Sequence, residues 1–149
     1  MKEIKIDRAK PNTKYYFITS DFGVGKLKEE NDNLDKLYYE KFNYFTSKEE
    51  AEKYAKKLQE YLIELRKEEY VKGEWKMNIP RAKIKEVFYV IAPDFTIKSF
   101  IELNDNLDNR QYSIYNYFTS KVEAEKYAKI LQETLVKLRK EEAMKKENK

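Results

Sequence analysis

The sequence predicts an α+β fold made of two tandem β-β-(β)-α repeats, in which an antiparallel sheet carries two long helices on one face. The first observation is internal similarity: the 149-residue chain matches itself at an offset of 73 residues, and 37 of the 65 positions from 6 to 70 are identical to their partners at 79 to 143. The second is the start of each repeat, where aromatic and β-branched residues favour strands. The third is the end of each repeat, where apolar residues recur with helical spacing. We therefore expect repeat units at 1–72 and 73–143 and a charged tail at 144–149.

Each repeat begins with two predicted strands. Tyr15-Tyr16-Phe17-Ile18-Thr19 and its counterpart at 88–92 favour a pleated surface, and an aspartate after each predicts a turn. We expect the second strand at 24–29 and 97–102, a third at 37–42 and 110–115, and a polar loop at 31–35 and 104–108.

The long helix of each repeat is predicted by its first turn and by its apolar stripe. Ser47-x-x-Glu50 and Ser120-x-x-Glu123 both have the pattern of a capping box. In the first repeat the stripe consists of Ala51, Tyr54, Ala55, Leu58, Leu62 and Leu65. The pattern predicts a helix over 48–68, repeated 73 residues later.

One repeat alone buries little apolar surface, so we expect the two repeats to share one core. The simplest arrangement is an antiparallel sheet of four to six strands with both long helices on one face and a pseudo-twofold axis between the halves. Two separate small cores are the alternative, and a dimer formed through the long helices is also open.

The composition argues against most classes of enzyme. The chain has no Cys, no His and three Gly, which removes thiolate chemistry, the commonest general base and a glycine loop for phosphate. Its apolar runs are short, so no membrane span or signal peptide is expected. We expect a non-enzymatic protein without a metal or cofactor, located in the cytoplasm of a bacterial host.

Charge offers two further interpretations. The net charge is +4, and basic residues gather at 1–14, 66–86 and 137–149. They could contact phosphates beside stacking aromatic residues, or simply keep the protein soluble. The polar loop could bind a cation, but it lacks the glycine and terminal glutamate of a calcium loop, and Asx turns explain it equally well.

The aromatic residues give the clearest functional hint. Both faces of the first strand are apolar, because Tyr16 and Ile18 share one face and Tyr15 and Phe17 share the other. A helix layer covers only one face, so the other is either covered by another unit or forms an exposed aromatic patch. The candidate binding residues, for an aromatic face and loop, are Tyr15, Tyr16, Tyr39, Trp75, Tyr89, Tyr112 and Arg110.

The segment 108–125 reads DNRQYSIYNYFTSKVEAE and resembles a pattern of small phage and prophage proteins of unknown function. In that pattern Asn-x-Phe-x-(Thr/Ser)-x-Glu-Glu-Ala-Glu leads into a helix, and a glycine precedes the Asn. Here Phe42 and Tyr115 stand in place of the glycine, and Leu37 stands where the second repeat has Arg110. The resemblance implies an origin in a phage or mobile element and supplies no known activity or site residues.

Together these observations predict a non-catalytic binding protein of phage or mobile-element origin. Inhibition of a bacterial defence system is the expected role, either by blocking a CRISPR-type nuclease or by sequestering a nucleotide signal, so the partner would be a host protein or a nucleotide. The alternative is a nucleic-acid-binding accessory protein that uses its basic ends and exposed tyrosines. A structural module that dimerises is the third hypothesis.

Overall fold

The computed structural model describes residues 6–72 and 79–147. Each repeat forms a β-hairpin, a short helix and a long helix, in that order, which confirms the α+β class and the tandem ββα repeats. The elements of the first repeat are β1 (Lys14–Ile18), β2 (Val24–Lys28), α1 (Asn33–Glu40) and α2 (Lys48–Lys72). Those of the second are β3 (Val87–Ile91), β4 (Ile97–Ile101), α3 (Asn106–Ser113) and α4 (Lys121–Glu147).

The strands form two separate two-stranded sheets instead of the single larger sheet expected from the sequence. β1 pairs antiparallel with β2, and β3 pairs antiparallel with β4. On its other side, the first strand of each hairpin meets the residue that lies just before the long helix. Tyr16 exchanges backbone hydrogen bonds of 2.7 and 2.8 Å with Phe45, and Tyr89 exchanges bonds of 2.7 and 2.9 Å with Phe118. These bridges occupy the outer edges of β1 and β3, so neither strand is available to pair with the other hairpin.

The predicted third strands are wrong, because most of 37–42 and 110–115 lies in the short helices α1 and α3. The polar segment before each of them begins a helix and is not a simple loop. In each repeat the N-cap aspartate accepts a hydrogen bond from the amide of the aspartate three residues later. The side chain of that second aspartate accepts a hydrogen bond from the N-cap amide in return. The pairs are Asp32 with Asp35 and Asp105 with Asp108. This reciprocal capping box satisfies amides that have no partner within the helix.

The long helices begin where the sequence predicts. The Oγ atoms of Ser47 and Ser120 each accept a hydrogen bond of 3.3 Å from the amide three residues later. Both helices run further than expected: α2 continues to Lys72, and α4 continues to Glu147, through residues 144–147 of the segment assigned to a charged tail.

One apolar cluster contains residues of both repeats. The stripes of α2 and α4 pack together and against the inner faces of the two hairpins. Its buried members are Ile18, Phe45, Ala51, Tyr54, Ala55, Leu58, Leu62, Ile91, Phe118, Ala124, Tyr127, Ala128, Leu131 and Leu135. The largest continuous core of the described chain therefore lies between the repeats.

Two buried arginines connect the repeats reciprocally. Arg66 of α2 is 1% exposed, and its Nη1 donates hydrogen bonds of 2.6 Å to the carbonyls of Tyr115 and Tyr117 in the second repeat. Its Nη2 donates to Glu123 at 3.0 Å. Arg139 of α4 makes the equivalent contacts of 2.6 to 3.1 Å with the first repeat: Phe42, Tyr44 and Glu50. Equivalent contacts in both directions are what a pseudo-twofold relation between the repeats produces.

The two faces of β1 are covered by different parts of the protein. Tyr16 and Ile18 pack on the core between the long helices. Tyr15 and Phe17 pack on the other side against Tyr38, Tyr44 and the segment before β1. The face that the sequence left open is therefore covered by α1 and by its own repeat's first residues.

Candidate binding site

Most of the tyrosines that the sequence nominates for binding serve as structural residues. Tyr15 is fully buried, so it cannot lie on an exposed aromatic face. Tyr16 and Tyr89 are half-buried and pack on the shared core. The hydroxyls of Tyr39 and Tyr112 each donate to a carbonyl near the start of their own repeat, at 2.6 and 2.7 Å. These contacts hold the segment before each hairpin in place.

The two remaining candidates differ in what the structure shows of them. Arg110 is exposed, and its Nε donates a hydrogen bond of 2.7 Å to Oδ2 of Asp21, which ties α3 to the β1–β2 turn. The first repeat has Leu37 at this position and cannot form the equivalent ion pair. Trp75 lies outside the described residues, as do parts of the basic segments at both ends and in the connector.

Each repeat contains a buried glutamate that holds its loops together. Glu102 accepts hydrogen bonds from Nε of Arg81 at 2.8 Å and from the Tyr117 hydroxyl at 2.6 Å. The Arg81 guanidinium holds the pKa of this carboxyl at about 2, against the desolvation that favours the neutral form. Glu29 of the first repeat has the matching arginine and tyrosine partners. Because both repeats keep this network, it explains their common fold and does not distinguish them.

The second buried carboxylate of each repeat does distinguish them. In the first repeat, Oδ1 of Asp35 accepts a hydrogen bond of 2.6 Å from the Tyr15 hydroxyl, and Oδ2 accepts from two backbone amides. Burial opposes ionisation of Asp35, but these hydrogen bonds outweigh it and lower its pKa to about 2. In the second repeat Phe88 replaces Tyr15 and has no hydroxyl. Oδ2 of Asp108 still accepts from two amides, whereas no described residue donates to Oδ1.

Asp108 lies in the floor of an apolar groove with a volume of about 680 Å³ between β4 and α3. Asp108 and Phe88 are at most 5% exposed, whereas five apolar residues around them are 45 to 72% exposed. Those five are Val87, Phe100, Ile101, Leu103 and Leu107. Ser20, Ser99, Asp105 and Gln111 complete the lining. An exposed group of large apolar side chains of this kind is typical of an interaction site.

Two aromatic rings of the first repeat are absent from the second in and beside the groove. In the first repeat the rings of Phe17 and Tyr38 stack with their centroids 4.9 Å apart. The second repeat has the smaller Val90 and the polar Gln111 at these positions.

The rim of the groove also differs from the first repeat. Three charged residues are replaced by apolar ones: Lys14 by Val87, Lys28 by Ile101, and Glu30 by Leu103. Since the first repeat adopts the same fold with charges at these positions, folding does not require the apolar rim.

The outer edge of β4 borders the groove and offers free backbone groups. Because Tyr89 uses its backbone to bond Phe118, its neighbours in β3 direct theirs toward β4. The alternation of an antiparallel pair then places the backbone amides and carbonyls of three residues on the outer edge: Ile97, Ser99 and Ile101. Within the described ranges 6–72 and 79–147, β4 pairs with no strand other than β3.

Sequence reasoning missed the groove because its candidates were mainly aromatic residues, whereas the groove is lined mainly by aliphatic and polar ones. Retained tyrosines, glutamates and arginines prove to be structural, whereas most residues that line the groove stand at positions at which the repeats differ. The available signal was the replacement of charged residues by apolar ones in predicted strands of the second repeat, where a solvent-facing position normally stays polar.

The described residues contain no cluster of His, Cys, Asp and Glu suited to a metal ion, and none of their helices has the length and apolar character needed to cross a membrane. Comparison with known proteins gives no match: no family model, no curated protein and no solved structure is significantly similar to the chain.

Proposed function

We propose that this protein is a non-catalytic binding protein whose apolar groove captures a partner. The observation that carries the proposal is the difference between the repeats, since the second has exposed apolar side chains at positions where the first has lysine and glutamate. Exposed apolar surface contributes nothing to solubility and favours association. A partner that covers it explains why the second repeat carries it.

The lining of the groove favours a protein partner. Among its described residues Asp105 and Asp108 are acidic and none is basic. Such a surface repels the phosphates of a nucleotide or nucleic acid, which basic side chains normally neutralise. The resemblance of segment 108–125 to phage proteins makes bacterial defence proteins, CRISPR-type nucleases among them, the partners to test first. The role we propose is therefore inhibition of a defence protein by direct binding.

The test is a binding screen of the full-length protein against purified defence nucleases, with cyclic nucleotides included, read by biolayer interferometry and thermal shift. The groove variant is Ile101→Lys/Leu103→Glu, which installs the residues of the first repeat and leaves the net charge unchanged. Its matched control is Lys28→Glu/Glu30→Lys, a charge-neutral exchange at the same positions of the first repeat.

We expect at least one defence protein to bind the wild type and the control equally, and to bind the groove variant about tenfold or more weakly, since two apolar contacts are lost. A screen without a protein ligand would contradict the proposal. Equal binding to all three proteins would place the interaction elsewhere on the surface.

A further inference from the structure

We infer that the groove binds an extended peptide segment of its partner, which adds to β4 as a further strand and places a lysine or arginine side chain against Asp108. This inference rests on the proposed binding function and specifies what the groove recognises. It depends on two independent features, the free edge of β4 and the incompletely bonded carboxylate beneath it.

The outward-facing positions of β4 lack the lysines that protect the outer edge of β2. The residues whose backbone faces outward on β2 include Lys26 and Lys28, and charged side chains are a common protection of sheet edges against strand addition. At the equivalent positions β4 has Ser99 and Ile101. An extended peptide would gain main-chain hydrogen bonds along this edge, and its alternate side chains would enter the groove.

Asp108 specifies the chemistry of one of those side chains. Asp108 is 5% exposed, and no described residue donates to its Oδ1, so a donor on a ligand that enters the groove can complete the hydrogen bonding of this carboxylate. The first repeat shows what completes the site, because there the Tyr15 hydroxyl donates to the equivalent Oδ1 of Asp35.

The donor from the peptide is expected to be cationic. The groove lining contains two carboxylates and, among its described residues, no basic group, so a positive charge is complementary. Hydrogen bonds from ammonium or guanidinium groups to carboxylates are also stronger than neutral ones. The stem of a lysine or arginine side chain would pass along the apolar wall formed by Phe100 and Leu107.

The experiment is a selection of random twelve-residue peptides displayed on the immobilised full-length protein. Selected peptides are then synthesised and titrated by fluorescence anisotropy against the wild type and three variants. Ile101→Lys/Leu103→Glu removes the groove. Asp108→Asn retains an oxygen for the two backbone amides and removes the charge. Phe88→Tyr restores the hydroxyl of the first repeat, which would donate to Oδ1 from within the protein.

The expected peptides lack proline, alternate apolar residues with other residues, and carry a lysine or arginine in the centre. Asp108→Asn and Phe88→Tyr should each weaken their binding about tenfold, the size of one charged hydrogen bond. Replacing the central basic residue by norleucine should weaken binding to the wild type to the same extent and leave binding to Asp108→Asn unchanged. Methylation of alternate peptide nitrogens should abolish binding.

Other results would overturn the inference. Peptides that bind the groove but tolerate Asp108→Asn, or that require proline or a helical pattern, would leave the proposed function standing and refute this mode of recognition. If no selected peptide is sensitive to Ile101→Lys/Leu103→Glu, strand addition in the groove is refuted, and the screen against defence proteins decides the proposed function separately.

Discussion

At the scale of single residues, the two repeats provide an internal comparison of one hydrogen bond. Tyr15 and Phe88 occupy the same place, and their rings stack on Tyr44 and Tyr117 with centroids 4.2 and 4.3 Å apart. The two side chains differ by one hydroxyl group, which in the first repeat donates a hydrogen bond to Asp35. The same ring position thus completes a structural site in one copy and leaves a carboxylate oxygen available in the other.

Tyr15→Phe is therefore expected to lower the free energy of unfolding by about 1 to 3 kcal/mol, because it removes a donor from the buried carboxylate of Asp35. Phe88→Tyr is expected to raise it by about 1 kcal/mol, because a hydroxyl then reaches Asp108. Urea denaturation followed by circular dichroism measures both. A destabilising effect of Phe88→Tyr would show that the hydroxyl has no room beside Asp108.

The buried carboxylates also make stability depend on pH. The pKa of Glu102 is about 2 in the folded protein against an ordinary value of 4.5, and that of Asp35 is about 2 against 3.8. The unfolded chain thus binds more protons in this range, and protonation favours it. We expect the contribution of these carboxylates to the free energy of unfolding to be fully present above about pH 5. It should fall as the pH drops from about 4.5 toward 2.

Urea titrations at a series of pH values test this dependence. Glu102→Gln should be less stable than the wild type near neutral pH and should lose stability less steeply in acid, because one of the titrating groups is absent. Identical slopes for the two proteins would show that Glu102 is not responsible.

At the scale of elements, the sequence predicts strongly periodic segments well and short capped helices poorly. The long helices have a stripe over many turns, and each begins at the predicted serine. The short helices have eight residues each, too few for a clear period, and the tyrosines of α1 favour strands. Their capping boxes also place aspartate, not glutamate, at the third helical position, so the usual pattern did not reveal them.

The N-caps of the short helices are expected to contribute measurably to stability. Asp32→Ala should cost about 1 kcal/mol, since it removes the acceptor for the Asp35 amide. Asp32→Asn, which retains an acceptor, should cost much less. Thermal melts of the two variants give the comparison, and equal losses would mean that charge at Asp32, not capping, is what matters.

At the scale of the whole molecule, the sequence indicates that neighbouring repeats need each other, but it does not show how they are joined. Burial arithmetic predicts a common core, because a single repeat has too little apolar surface. The reciprocal arginines are invisible to such reasoning, since a charged residue in a helix is ordinarily assigned to solvent. The groove likewise escapes it, because whether Val90 and Gln111 leave open space depends on what packs over them.

Arg66→Met and Arg139→Met are each expected to lower the free energy of unfolding by about 3 kcal/mol. Each change leaves two carbonyls of the opposite repeat, one of them on a fully buried tyrosine, without their donor. Lys56→Met, on the exposed side of α2, should change stability little and serves as the control. Chemical denaturation measures all three, and a loss no larger than that of the control would show that the arginines do not hold the repeats together.

The reciprocity of these arginines has a consequence for how such a chain could have arisen. Each repeat supplies an arginine and a receiving site that fit a second copy of itself, which is what the two subunits of a twofold dimer require. The connector would then contribute mainly a high local concentration. The test is to produce two separate polypeptides, residues 1–72 and 79–149. Each should be poorly folded alone, and on mixing they should form a one-to-one complex with the circular dichroism spectrum of the intact protein. The protein can thus be described as a covalently fused dimer whose two halves share one architecture and differ in the apolar groove of the second.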